Sequence, residues 1–254
     1  MRILLAAACV ALSACAGGVI NETFLTPHDT ALTATSPNIT AAIADTRRPD
    51  ADRMRDDARH AAETLAFANI RPGAKVGELM PGGGYFTRLF AVAVGDSGKV
   101  YPVIRPPETA SRYEHVVGDG YANVAMVRQN FAALNFPEPL DVVFTAQNYH
   151  DFHLAEENFD DPAAINRAVF AALKPGGLYV IIDHSARDGS GLADNGLHRI
   201  DQALVRREVE AAGFVFDGES QVLRNPQDAR TLGVFDAAIR GHTDQFVMRF
   251  RKPG

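Results

Sequence analysis

Cysteine is nearly absent from this chain. The only two are Cys9 and Cys15, both within the first fifteen residues. No disulfide can brace the remainder, so packing alone must supply its stability. Basic charge is also short, with 25 Lys and Arg against 31 Asp and Glu and a net charge of −6. Without a basic stripe to neutralise phosphates, nucleic acid is not expected as a partner. No apolar run reaches the roughly 20 residues that a membrane-spanning helix needs. Internal repeats and long charge blocks are missing too, and no spacing of histidines and acids matches a recognised metal-ligand motif, so no metal ligand is assigned.

What is present is 254 residues, 46% of them hydrophobic. That is enough for one substantial core, and one α/β domain with extra segments is the simplest organisation. The first residues stand apart. Met1-Arg2 is followed by an apolar stretch, Ile3 to Leu12, of the length of a secretory h-region. Leu12-Ser13-Ala14-Cys15 then resembles a bacterial lipobox, in which the cysteine is lipidated and becomes the new N-terminus. On that reading residues 1–14 are a lipoprotein signal peptide and 15–48 a tether rich in Ala, Thr, Asn and Pro. A domain occupies 49–254 and faces the periplasm, bound to the membrane only through a lipid anchor at Cys15.

From Asp50 the patterning becomes regular. Met54, Ala58, Ala61, Ala62 and Leu65 recur at helical spacing and predict an amphipathic helix to about Asn69. Strands and helices then alternate: strands over 76–80, 99–104, 123–128, 141–146 and 178–182, with helices over 85–94, 107–117 and 162–173. Asp161-Pro162 is a helix start, an acidic cap followed by Pro at the first helical position. A helix over 199–212 and strands over 214–223 and 244–250 complete the series. Five strands joined by helices through right-handed crossovers form a doubly wound, mostly parallel sheet. The final strands make it seven-stranded, with a terminal antiparallel strand.

The first βα turn, Glu78-Leu79-Met80-Pro81-Gly82-Gly83-Gly84-Tyr85, carries the most specific signal. Glycines let the backbone approach a ligand, and the helix behind them offers free N–H groups. Together with Leu173-Lys174-Pro175-Gly176-Gly177 and Glu210-Ala211-Ala212-Gly213-Phe214, this turn resembles the class I S-adenosylmethionine-dependent methyltransferases. The similarity covers about Asp50 to Lys252. More narrowly, the ELMPGGGY and QNYHD segments resemble a bacterial group of predicted methyltransferases.

That resemblance implies a Rossmann-like methyltransferase fold with S-adenosyl-L-methionine as cofactor and a small-molecule acceptor. It implies cofactor contacts at Gly82, Gly83 and Gly84, and at Glu78, the acid that precedes them. Asn130 falls where the adenine is met, and Asn148 where the transferred methyl is lined. The sequence departs from the family at Met80, which replaces a glycine, at Pro81, and at the end of the second strand. There the family carries an acid for the ribose, and here only Glu108, further on, stands in for it.

The loop Gln147-Asn148-Tyr149-His150-Asp151-Phe152-His153 follows the fourth strand and so faces the cleft at the carboxyl ends of the strands. His150 and Tyr149 are candidate bases, with Asp151 orienting the imidazole. A structural role suits the same residues, Asp151 or Asn148 capping the loop and His153 packing beneath it. Asp183-His184 and His198 to Asp201 reach toward the same rim.

Three functions stay open: a methyltransferase for a small acceptor, an exported ligand-binding module on the same fold, and a metal-assisted hydrolase at the histidine-rich cleft. The lipobox and the cofactor pull apart, since S-adenosylmethionine is made in the cytoplasm.

Overall fold

The central strands are apolar on both faces, and this places them inside the molecule. In the computed structural model, which describes residues 31–106, 120–154, 159 and 161–254, seven strands form one sheet. They are β1 (Lys75–Leu79), β2 (Lys99–Ile104), β3 (Val127–Arg128), β4 (Leu140–Ala146), β5 (Leu173–His184), β6 (Val215–Ser220) and β7 (Gln245–Arg251), in the order β3-β2-β1-β4-β5-β7-β6. The expected signal peptide, Cys15, the start of the tether and the helix expected over 107–117 with Glu108 lie outside the described residues. Among the described residues, no helix is long and apolar enough to cross a membrane.

β1 pairs in parallel with β2 on one side and β4 on the other. The strand order therefore reverses at β1/β4, the switch point above which open α/β sheets hold their ligands. β7 runs antiparallel to both neighbours, β5 and β6. Last in sequence, it is thus inserted one place in from the edge, and β6 is the outer strand.

Period-2 alternation divides β5 between two cores. Leu178, Val180 and Ile182 face one side with Val76, Val142 and Phe144. Tyr179 and Ile181 face the other with Val143, Phe246 and Met248. The first face is covered by α1 (Pro37–Ala44), α3 (Ala61–Phe67) and α4 (Tyr85–Val94), the second by α5 (Pro162–Ala172) and α6 (Gln202–Ala211). Each fully buried Val, Ile or Phe contributes about 1.5–3 kcal/mol over leaving it exposed, so the two cores carry most of the stability.

Two expected boundaries move. The tether does not run to residue 48, because α1 packs within the domain with Ile39 and Ala42 fully buried. Asn38 Nδ2 donates to the carbonyls of Ile70 (2.8 Å) and Ala93 (3.1 Å), fastening α1 to the ends of two other segments. The single amphipathic helix expected from Asp50 is two pieces, α2 (Asp50–Arg53) and α3, joined by turns ending at His60 with φ +43°. Met54 is 79% exposed, so the apolar face is interrupted. The buried groups here are carboxylates, Asp52 on Arg88 and Asp56 on Arg48 and Tyr85, and reaching these partners sets the path of the backbone.

Candidate functional site

The turn between β1 and α4 is shaped by backbone conformations that favour glycine. Met80, Gly82 and Gly84 have φ of +53°, +55° and +79°, and Gly84 caps α4 in the left-handed region. For Met80 this conformation costs about 1–2 kcal/mol. Side chains added at Gly82 or Gly83 would meet nothing of the protein within 4 Å. The glycines therefore leave open space over the switch point, and the first turn of α4 directs backbone N–H groups to it.

Buried charge holds this turn. Arg88, 2% exposed on an otherwise apolar helix, donates from Nε and Nη2 to Asp52 Oδ2 (2.9 and 2.6 Å) and from Nη2 to the Gly83 carbonyl (2.6 Å). Opposite, Asn148 Nδ2 donates to the carbonyls of Ala146 (2.7 Å) and Met80 (3.3 Å), so the β4 loop is tied to the glycine turn. Glu78 is turned away from that space. It is 3% exposed and accepts a short hydrogen bond from the Thr87 hydroxyl. Burial pushes its carboxyl up to about 8, with Thr87, Arg88 and Arg59 opposing the shift. There it joins β1 to α4 from within.

Arg59 lies beside this turn. Its guanidinium stands 4.5 Å from the centre of the Tyr85 ring, and its Nη2 donates to Gln147 Oε1 at 3.4 Å. Burial, reinforced by Arg55, lowers its pKa to about 10. With Phe86, Gln147 and Gln245 it lines a small hollow beneath the β4 loop.

Beyond Asn148 the chain makes a 3-10 turn over His150–His153. His150 is 3% exposed, and Asp183 at the end of β5 accepts from both its backbone N–H and its Nδ1, each at 2.8 Å. Its Nε2 lies 3.1 Å from Asp151 Oδ1 and 3.3 Å from His198 Nδ1. Burial alone would lower the imidazole pKa, but the Asp183 charge and the bonds to both carboxylates outweigh it and raise it to about 10. Held between two carboxylates, its imidazole favours the protonated form. Asp183, fully buried and held below the usual carboxylate range despite that burial by His150, orients the ring. Asp151, expected to orient the ring, meets its other nitrogen.

His184, next in β5, is the converse. Burial lowers its pKa to about 4, against the pull of Asp183, and its Nδ1 pairs with Thr243 Oγ1 at 2.7 Å. His198, one third exposed and at φ +55°, is positioned by its neighbour Arg199. That residue is fully buried and bonded to Asp228, Ser185 and Leu232.

Two expected site residues lie elsewhere. Tyr149 is fully buried in the second core, where Asn166 donates to its hydroxyl (2.7 Å) and Glu208 lies at 3.0 Å. Glu208 also holds His153 at 3.0 Å, so both residues anchor the loop to α5 and α6. Asn130 is exposed, and its Oδ1 accepts from the Ala132 N–H (3.0 Å), capping a 3-10 turn over Phe131–Ala133. β2 ends at the buried Ile104 followed by Arg105, so among the described residues no acid ends this strand.

No protein-family model matches the chain. Curated relatives include the ubiquinone/menaquinone biosynthesis C-methyltransferases UbiE of Shewanella sp. (strain ANA-3) and Shewanella woodyi, 32% and 33% identical over 129 residues. Each alignment covers 48% of this chain and 47% of the relative, so the chain matches about half the length of these proteins. A solved S-adenosylmethionine-dependent methyltransferase from Aquifex aeolicus superposes with a TM-score of 0.56 at 18% identity, covering 83% of this chain and 97% of that one. With its sheet order and its glycine turn at the switch point, the chain has the Rossmann-like fold of the S-adenosylmethionine-dependent methyltransferases.

Proposed function

We propose that this protein is a methyltransferase that takes S-adenosylmethionine and transfers its methyl group to a small-molecule acceptor. One observation carries the proposal. The glycine turn at the β1/β4 switch point leaves unfilled space over Gly82 and Gly83, and the Asn148 amide closes onto Met80 from the facing loop. The similarity to the UbiE C-methyltransferases supports it. Bound there, S-adenosylmethionine would supply an electrophilic methyl group.

The protein's part is placement. Gly82, Gly83 and the start of α4 offer backbone groups without side-chain obstruction, and Arg88 fixes the Gly83 carbonyl. Asn148 sets the distance between the turn and the acceptor side. The donor set lacks the carboxylate at the end of β2, so hydrogen bonds to a ribose must come from other groups.

Isothermal titration of the full chain with S-adenosylmethionine and S-adenosylhomocysteine tests the reading. We expect saturable binding of both, and binding of neither at high ligand concentration would refute it. The missing β2 acid favours one other reading, a non-catalytic module that binds a different ligand in the same cradle. Titrations with neither heat nor saturation would point to it.

A further inference from the structure

Three donors from two separate loops converge beside the cleft: His150 Nε2, Asp151 Oδ1 and His198 Nδ1. Their separations are 3.1 Å (His150 to Asp151), 3.3 Å (His150 to His198) and 3.7 Å (Asp151 to His198). An ion held tetrahedrally at about 2.0–2.1 Å from each ligand would set its donors about 3.3 Å apart. The triangle has that size.

Hydrogen bonding alone accounts poorly for the arrangement. A single proton on His150 Nε2 could serve the Asp151 carboxylate and the His198 ring nitrogen only as a shared, three-centre bond, which is poorly aligned to each. The separation between Asp151 and His198 is beyond hydrogen-bond range. The far side of the His150 ring is built as metal-bound histidines are built. Asp183 accepts from Nδ1 at 2.8 Å, which fixes the ring so that Nε2 faces Asp151 and His198 and ligates on giving up its proton to the incoming ion's solvent. The backbone next to His198 is anchored by the buried Arg199 and its ion pair with Asp228 at 2.9 Å, and the His198 N–H bonds the Asn195 carbonyl at 2.8 Å.

We infer that His150, Asp151 and His198 form a binding site for a divalent transition-metal ion of the zinc class, with Asp183 as the positioning residue behind His150. Three protein ligands leave a tetrahedral ion one further position, the arrangement of sites that take water or a substrate atom. Imidazole and carboxylate donors suit zinc, iron or nickel over calcium or magnesium. On the methyl-transfer reading above, the free position takes an oxygen or nitrogen of the acceptor. The metal measurement stands whether or not S-adenosylmethionine binds.

The test uses the untagged full chain, stripped with chelator and dialysed, then titrated with Co2+ and displaced with Zn2+. We expect one Co2+ per chain, with the intense visible absorption of a tetrahedral site that Zn2+ abolishes. His198→Gln, a change on a partly exposed loop, should weaken Zn2+ binding by about tenfold or more. Asp183→Asn should weaken it by about 10–100-fold. His153→Gln should bind as the parent does, because His153 is engaged with Glu208. Absence of the tetrahedral spectrum would overturn the inference. So would equal binding by the parent and His198→Gln, or an equal loss in His153→Gln.

Discussion

At the scale of single residues, this protein keeps ionisable groups where water does not reach, and each answers to pH in a definite direction. Glu78 is the clearest case, its carboxyl raised to about 8 by burial against β1 and α4. Between its ordinary value and that raised one, the folded chain holds a proton that the unfolded chain has released. Stability must therefore fall as pH rises through this window, by up to about 1.4 kcal/mol per pH unit from this group. Glu78→Gln keeps an acceptor for the Thr87 hydroxyl and removes the titration. Urea unfolding of both proteins between about pH 5 and about pH 8 should show the parent losing stability relative to the variant. A constant difference across the range would contradict it. Other groups titrate in the same interval, and the comparison cancels them.

The same scale explains which site residues the sequence could not reveal. His150 and Asp151 stand out as chemistry-bearing types in the loop after the fourth strand. That Asp183 holds His150 depends on the register of β4 against β5 and on residues 33 positions apart. His198 is further still, and its approach depends on the buried Arg199. Tyr149 carries the same chemical promise as His150, yet its ring is taken up in the second core and its hydroxyl bonds Asn166 and Glu208.

At the scale of elements, legibility follows local punctuation. α4 and β2 run as expected from Tyr85 to Val94 and from Lys99 to Ile104, because glycines precede each of them and both are mostly apolar. α5 begins at Pro162 with Asp161 accepting from the Ala163 N–H, as its cap chemistry requires. α1 was not legible. Its eight residues, PNITAAIA, are short and weakly amphipathic, and only tertiary packing makes them helical.

Its attachment depends on Asn38, whose amide satisfies carbonyls at Ile70 and Ala93 in one stroke. Asn38→Ala leaves both carbonyls without that donor and should cost about 1–3 kcal/mol. The check is the urea midpoint of the variant, with the slope unchanged from the parent. A midpoint equal to the parent's would mean that α1 is not fastened this way.

At the scale of the molecule, one sheet brings two chemistries to the carboxyl ends of neighbouring strands. The glycine cradle stands above β1, and the histidine cluster stands above β4 and β5, with Asn148 linking the two. Fold class was readable from the order of strands and helices. The placement of β7 between β5 and β6 was not, since local sequence does not say which neighbour a last strand chooses. The cradle is also the part that distinguishes a methyl-donor site from a merely similar fold.

Gly83 offers the sharpest probe of it. Its φ lies outside the left-handed region, and a Cβ added there would meet no protein atom within 4 Å beyond its chain neighbours. Gly83→Leu therefore starts its side chain in open space and fills the space meant for the donor, and its unfolding midpoint reports whether the fold is kept. Calorimetric titration of S-adenosylhomocysteine into both proteins, with their unfolding midpoints measured alongside, is the decisive comparison. The prediction is an unchanged midpoint with affinity lost by about a hundredfold or more, equivalent to at least about 2.7 kcal/mol. Equal affinity in parent and variant would contradict it, because the donor would then not lie over this turn.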